Sequence, residues 1–138
     1  MTAQRGKDML VRIGDGGSPE SFTTVAGLRT RTFSLNAREV DATHSESGGW
    51  RELLAGAGVR QAAVAGAGVF LNDAAALALR AAFFAGAVRN FRLSVPGLGT
   101  MTGPFLIANL DYAGDHDGEA TFSIALASAG ALVFEVAP

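Results

Sequence analysis

The sequence has no cysteine. That excludes disulfides, a thiolate nucleophile and any thiolate-held metal, and leaves the fold indifferent to its redox surroundings. Charge is scarce as well. Asp, Glu, Lys and Arg make up 17% of the chain, and the net charge is −2. No basic excess exists to grip a phosphate backbone. Long hydrophobic runs are missing too. Met1–Asp8 is polar and lacks the apolar segment of a leader. Ala74–Val88, the most apolar stretch, is interrupted by Arg80 and too short to span a bilayer. No stable membrane insertion is expected, and folding in the cytoplasm is.

What is plentiful is small and neutral. Glycine occurs 18 times in 138 residues, about twice ordinary usage, and much of the 49% hydrophobic content is alanine. A high-GC genome would enrich the same residues, yet such a surface also permits close packing between subunits. The length fits one domain, 1–138, large enough to bury roughly two thirds of its unfolded surface.

Alternation with period two predicts strands along most of the chain. Met9–Ile13 is ended by a glycine-rich turn, and a brief strand follows at Phe22–Val25. Over 28–43 the pattern predicts a hairpin turning near Asn36–Ala37. Thr30, Thr32, Ser34 and Asn36 fall on one face of it, opposite Arg29, Arg31, Phe33 and Leu35, while Glu39 and Asp41 alternate on its return. A face of small polar groups belongs in water, outside the protein or in a channel. A long connection at 42–56 carries His44, Glu46, Trp50 and Arg51, with one helical turn expected at Trp50–Leu54 and Ser47 as its cap. Residues 58–71 form the next strand.

One helix is expected at about 73–85, capped by Asn72 and stopped by Gly86. Leu77, Arg80, Ala81 and Phe84 share a stripe on it, with Leu79 and Phe83 beside them. Strands at 90–95, 99–112, 119–127 and 131–136 follow, the first three separated by Pro96–Gly97 and Asp115–Gly118. In the third, Phe122, Ile124 and Leu126 point inward, opposite Thr121, Ser123 and Ala125. The fold class is mainly β: a two-sheet sandwich or barrel with one flanking helix.

Motifs for chemistry are wanting. Asp111, Asp115, His116, Asp117 and Glu119 form the best acidic cluster, but Asp-Gly is a leading hairpin-turn dipeptide, so the plain reading is a solvated turn. His44 near Asp41 and Ser45 has nothing local to assemble a triad. The glycine-rich runs match no phosphate loop. No catalytic, metal or cofactor site is expected. Trp50 reads either as a loop anchor in its own core or as an interface anchor, Trp and Arg being typical hot-spot residues.

Several motifs in order carry a resemblance: Gly6–Gly17 (GKDMLVRIGDGG), Phe22–Arg31 (FTTVAGLRTR), Trp50–Gly58 (WRELLAGAG), Arg80–Phe84 (RAAFF), Thr102–Phe105 (TGPF) and Tyr112–Glu119 (YAGDHDGE). Together they resemble the major tail tube proteins of long-tailed phages, specifically those of phage-like gene transfer agents of alphaproteobacteria. The resemblance implies a sandwich shared with the type VI secretion tube. It implies six-membered rings that stack into a hollow tube, each copy giving four strands to the inner barrel. Strands near 28–43, 58–71, 99–112 and 118–128 are the expected channel sheet, with Thr30, Thr32, Ser34, Asn36, Glu39 and Asp41 lining the lumen. The 42–56 loop, through His44, Glu46, Trp50 and Arg51, is expected to touch the adjacent ring. Partners implied are other copies, tail proteins at the tube ends, a tape-measure protein in the lumen during assembly, and DNA that passes without tight or specific binding. The implied place is the tail of a virion-like particle assembled in the bacterial cytoplasm. A tail terminator or head–tail completion protein, or a secretion-tube protein, are the alternatives, with an enzyme behind them.

Overall fold

The computed structural model describes residues 3–56 and 58–136; of the expected domain 1–138, residues 1, 2, 57, 137 and 138 lie outside it. The strands are β1 (Leu10–Gly14), β2 (Phe22–Thr24), β3 (Leu28–Ala37), β4 (Arg60–Val69), β5 (Arg89–Val95), β6 (Gly99–Ala113), β7 (Thr121–Ser128) and β8 (Val133–Val136). Among the described residues the one α-helix, α1, spans Ala74–Ala85 between β4 and β5.

All pairings are antiparallel, in the order β2-β1-β5-β6-β7-β4-β3, with β8 also on β6. The 15-residue β6 explains how one hydrogen-bonded sheet makes two layers. Its first half, Gly99–Phe105, pairs with β5. Its second half, Phe105–Ala113, pairs with β7. Gly103–Pro104 sits where the strand changes partners, a place where a residue without an N–H does least harm to a ladder. The two groups, β2-β1-β5-β6 and β6-β7-β4-β3, share one core.

That core follows the alternation. Val11, Ile13, Phe91, Leu93 and Met101 enter from one group, and Leu28, Ala62, Val64, Phe122, Ile124 and Leu126 from the other. Phe91 and Phe105, both fully buried, meet edge to face at 6.0 Å. Gly68 lets β3 bend tightly over β4, since a Cβ there would lie 2.0 Å from the Gly27 carbonyl oxygen.

Three local expectations are corrected. The 28–43 hairpin does not form: β3 pairs instead with β4, from Leu28 opposite Gly68 to Ala37 opposite Arg60. The expected helical turn at Trp50–Leu54 is absent, and Leu53 bridges to Asp41. The helix cap is Asp73, not Asn72; its carboxylate accepts from the Ala76 N–H at 2.9 Å. Gly86 ends the helix in the left-handed conformation, as a residue without Cβ can.

The helix turns its alanine side inward. Ala75, Leu79 and Ala82 are its buried residues, and it packs on β1, β2 and β6. Two alanines allow close approach. The Leu77–Arg80–Ala81–Phe84 stripe is left outside. No helix among the described residues is long and apolar enough to cross a membrane.

Candidate assembly surfaces

The four strands β3, β4, β7 and the second half of β6 are consecutive neighbours. Register fixes what each face carries. Thr30, Thr32, Ser34 and Asn36 lie opposite Ala67, Ala65, Ala63 and Gln61. Ala63, Ala65 and Ala67 lie in turn opposite Ala127, Ala125 and Ser123. On β6, Leu106, Asn109 and Asp111 complete the rows opposite Ala127, Ala125 and Ser123, after a bulge between Ile107 and Asn109. The alternate residues Ala62, Val64, Phe122, Ile124 and Leu126 are in the core, so this face points outward. It is a wall mostly of small, uncharged side chains, with Leu106, Gln61 and Asp111 as the exceptions.

Asp111 is the one charged residue in those rows. Its carboxylate accepts from Asn109 Nδ2 at 2.6 Å and from Ser123 Oγ at 3.4 Å. No lysine or arginine lies in them; Arg29 sits at the bulge at one end, in an ion pair with Glu119 at 2.5 Å. Among the described residues, both long edges of the wall, β3 and β6 beyond Phe105, lack a strand partner.

Between β3 and β4 the chain leaves the body as an arm, described over residues 38–56 and 58–59. The ladder continues into it: the Arg38 N–H donates to Val59 O at 2.9 Å, Leu54 to Val40 at 2.8 Å and Ala42 to Glu52 at 2.8 Å. The arm is thus an extended β-ribbon and not a helical turn in a loose loop. Its tip is tied by Ser47, whose Oγ accepts from the His44 N–H at 3.1 Å, and by His44, whose Nδ1 accepts from the Glu46 N–H at 3.1 Å. His44 Nε2 and Glu52 lie 3.5 Å apart across the ribbon. Trp50 is 79% exposed, and Leu53, Leu54 and Val59 are also open to solvent. Large apolar groups on an arm with no core beneath them point to a partner. The core-anchor reading of Trp50 is excluded by its exposure.

Asp41 holds this ribbon in a pH-dependent way. Hydrogen bonding from Thr43, first its side chain and then its backbone N–H at 2.8 Å, keeps the carboxyl below its ordinary value of 3.8. A lowered folded value means the stabilisation is in place above pH 3.8 and is lost as pH falls through the folded value. Trp50, the only tryptophan, reports on the arm. Its emission should change as acid is added below that pH, and Asp41→Asn should remove this step. A step unaltered by the substitution would assign it to another group.

The predicted residues therefore divide differently than expected. Thr30, Thr32, Ser34 and Asn36 share the wall. Glu39 and Asp41 do not; they lie in the arm with His44, Glu46, Trp50 and Arg51. Glu39 is ion-paired with Arg51 at 3.2 Å, joining a residue expected in the lumen to one expected between rings. Gln61 and Asn109, and Asp111 as a wall residue, were not singled out; the small-residue alternation of β4 was the signal for Gln61 alone. The acidic cluster is dispersed: Asp115–Gly118 is a turn closed by the Gly118 N–H on Asp115 O, with His116 and Asp117 almost fully exposed. No three His, Asp or Glu side chains converge among the described residues.

A model of the phage tail tube protein family matches residues 3–134. Two similar solved structures share 48% identity with the chain, and each match covers 97% of this chain and 100% of the other. One, at a TM-score of 0.91, is from the tail of an empty gene transfer agent particle refined helically with C6 symmetry. The other, at 0.89, is from the virion of a native gene transfer agent particle. The SPP1 tail tube shares the fold at 17% identity and a TM-score of 0.76, covering 98% of this chain and 80% of that one. No curated protein matches.

Proposed function

The chain belongs to the phage tail tube protein family, and on that footing we propose how its surfaces share the work. It is a structural subunit of a tail tube with hexameric symmetry, not an enzyme. Copies assemble with copies into stacked rings, and its place is the tail of the particle.

The wall faces the lumen. What carries this is a four-stranded face of mostly small, uncharged residues whose two edges are both unpaired among the described residues. An open edge is a hazard unless another strand covers it. Pairing β3 of one copy with β6 of the next closes the sheet into a barrel and leaves no lumen-facing edge. The wall would carry no cations at its centre, so DNA phosphates find nothing to release counterions against. One Asp111 per copy repels them weakly. DNA then slides through toward a recipient cell.

The arm joins rings. It projects beyond the end of the wall, where stacking places the next ring, and it carries Trp50 and Arg51. The whole chain acts as one tube domain, with 42–56 as the outer part of that arm. During assembly in the bacterial cytoplasm, the same wall would enclose a tape-measure protein, and the tube ends would meet other tail proteins.

Electron microscopy of the purified full chain tests this. Rings stacked into tubes are expected. A persistent monomer at high concentration would count against it, and rings that never elongate would favour a subunit of the tube end.

A further inference from the structure

The stripe Leu77–Arg80–Ala81–Phe84 lies outside the core of the subunit. Phe84 is 82% exposed and Leu77 49%. Phe83 meets the Phe84 ring edge to face, and exposed Val88 extends the patch past the helix end. Positions i, i+3, i+4 and i+7 make one helical face, and one this apolar lying in water is unusual for a free surface.

Resting on the reading of the arm as the ring-joining element, we infer that this helix face is the seat of the arm from the neighbouring ring. Topology places it there. β4 runs from the arm end to the far end of the wall, and α1 starts just beyond Val69. The helix then runs back toward the arm end, because Arg89 pairs with Phe105, itself opposite Ser128. In a head-to-tail stack, the arm end of one ring meets the far end of the next, where α1 begins.

The lengths agree. Arg38 to His44 at about 3.3 Å per residue reaches roughly 20 Å past the sheet. The 12 residues of α1 span about 18 Å at 1.5 Å each. The arm therefore lies along the helix instead of ending short of it.

The chemistry agrees as well. Trp50, Leu53 and Leu54 offer apolar surface to Leu77 and Phe84. Arg80 is the only charged residue of α1, and Glu46 lies at the arm tip. Among the described residues neither has an ion-pair partner, whereas Glu39 and Arg51 of the arm pair with each other, Glu52 lies 3.5 Å from His44, and Asp41 accepts from the Thr43 N–H. Glu46 of one ring pairs with Arg80 of the next.

The test is a charge exchange in the full chain, read by electron microscopy and sedimentation. Arg80→Glu and Glu46→Arg should each leave rings intact and impair tube growth. An exposed pair is worth about twofold per contact. Over the six contacts of a ring, that multiplies to roughly a sixtyfold rise in the concentration needed for stacking. The double variant should recover most of it. No recovery in a folded double variant overturns the pairing. Phe84→Ala should also stop stacking, since an 82% exposed side chain contributes little to the monomer. If Phe84→Ala stacks normally while Trp50→Ala does not, the helix is not the seat although the arm still joins rings. Normal stacking by Trp50→Ala would remove the arm's role itself. Loss of rings in Phe84→Ala would place the helix face between neighbours within a ring and overturn the inference.

Discussion

Trp50→Ala should abolish tubes while leaving the subunit folded. The separation follows from where the side chain sits. At 79% exposure it contributes little to the core, and surface substitutions of that kind usually change stability by less than about 0.5 kcal/mol. A melting temperature within about 2 °C of the parent is expected. In an assembled stack the same ring would be buried, where truncating a Trp hot spot costs about 2 kcal/mol or more. That is roughly 30-fold per contact. Each ring adds through six such contacts at once, so the losses multiply, as gains do in any multivalent attachment. Stacking should vanish at every accessible concentration. Electron microscopy beside a thermal melt decides it: tubes of normal length, or a subunit that no longer folds, would each sink the assignment.

The same residue shows what a sequence can and cannot carry. Its loop position and its neighbours Arg51, Leu53 and Leu54 marked it for an interface or a core. Only burial separates the two, and burial is a property of what lies underneath. Strand positions were legible because alternation is local: Phe122, Ile124 and Leu126 are inside, and Thr30, Thr32, Ser34 and Asn36 lie on one outer face. Partners were not legible. Alternation tells which face a residue takes, not which strand it meets, so β3 was given its own continuation over 38–43 when its mate lies at Arg60–Val69. Glu39 and Asp41 accordingly lie in the arm and not on a return strand beside β3. The ribbon is one hairpin with a very long reach, and the glycines and polar residues of its tip resemble a loop in composition.

The buried face of the helix was not legible for a different reason. Apolar residues surround α1 on nearly every side, so the period of 3.6 does not choose a face. Leu77 and Phe84 are larger than Ala75 and Ala82, so size does not mark the buried stripe. Close packing on β1, β2 and β6 selects the alanines. A monomer sequence written for an assembly carries two apolar faces, one for the subunit core and one for the neighbour, and nothing local labels which is which.

The second large effect concerns the wall. Ala65→Lys should leave particles assembled and cut DNA delivery by tenfold or more. Ala65 sits mid-wall, opposite Thr32 and Ala125, and is exposed. A lysine there points away from the core, so folding has no reason to fail. In a hexameric ring it would place six cations around the lumen, repeated at every ring. Each phosphate contact steepens the salt dependence of binding by about 0.9 in the logarithmic slope, so a passage built to release DNA becomes one that holds it. Ala65→Gln brings comparable bulk without charge and should deliver nearly normally. High salt should partly restore the lysine variant, because screening and counterion competition act on charge and not on bulk. Transfer frequency at two salt concentrations, with images of DNA retained in the tail, separates the possibilities. Equal loss in the Gln and Lys variants would mean obstruction by size. Normal delivery by the lysine variant would mean that this face does not look into the lumen, and the edges of β3 and β6 would then have to close some other surface.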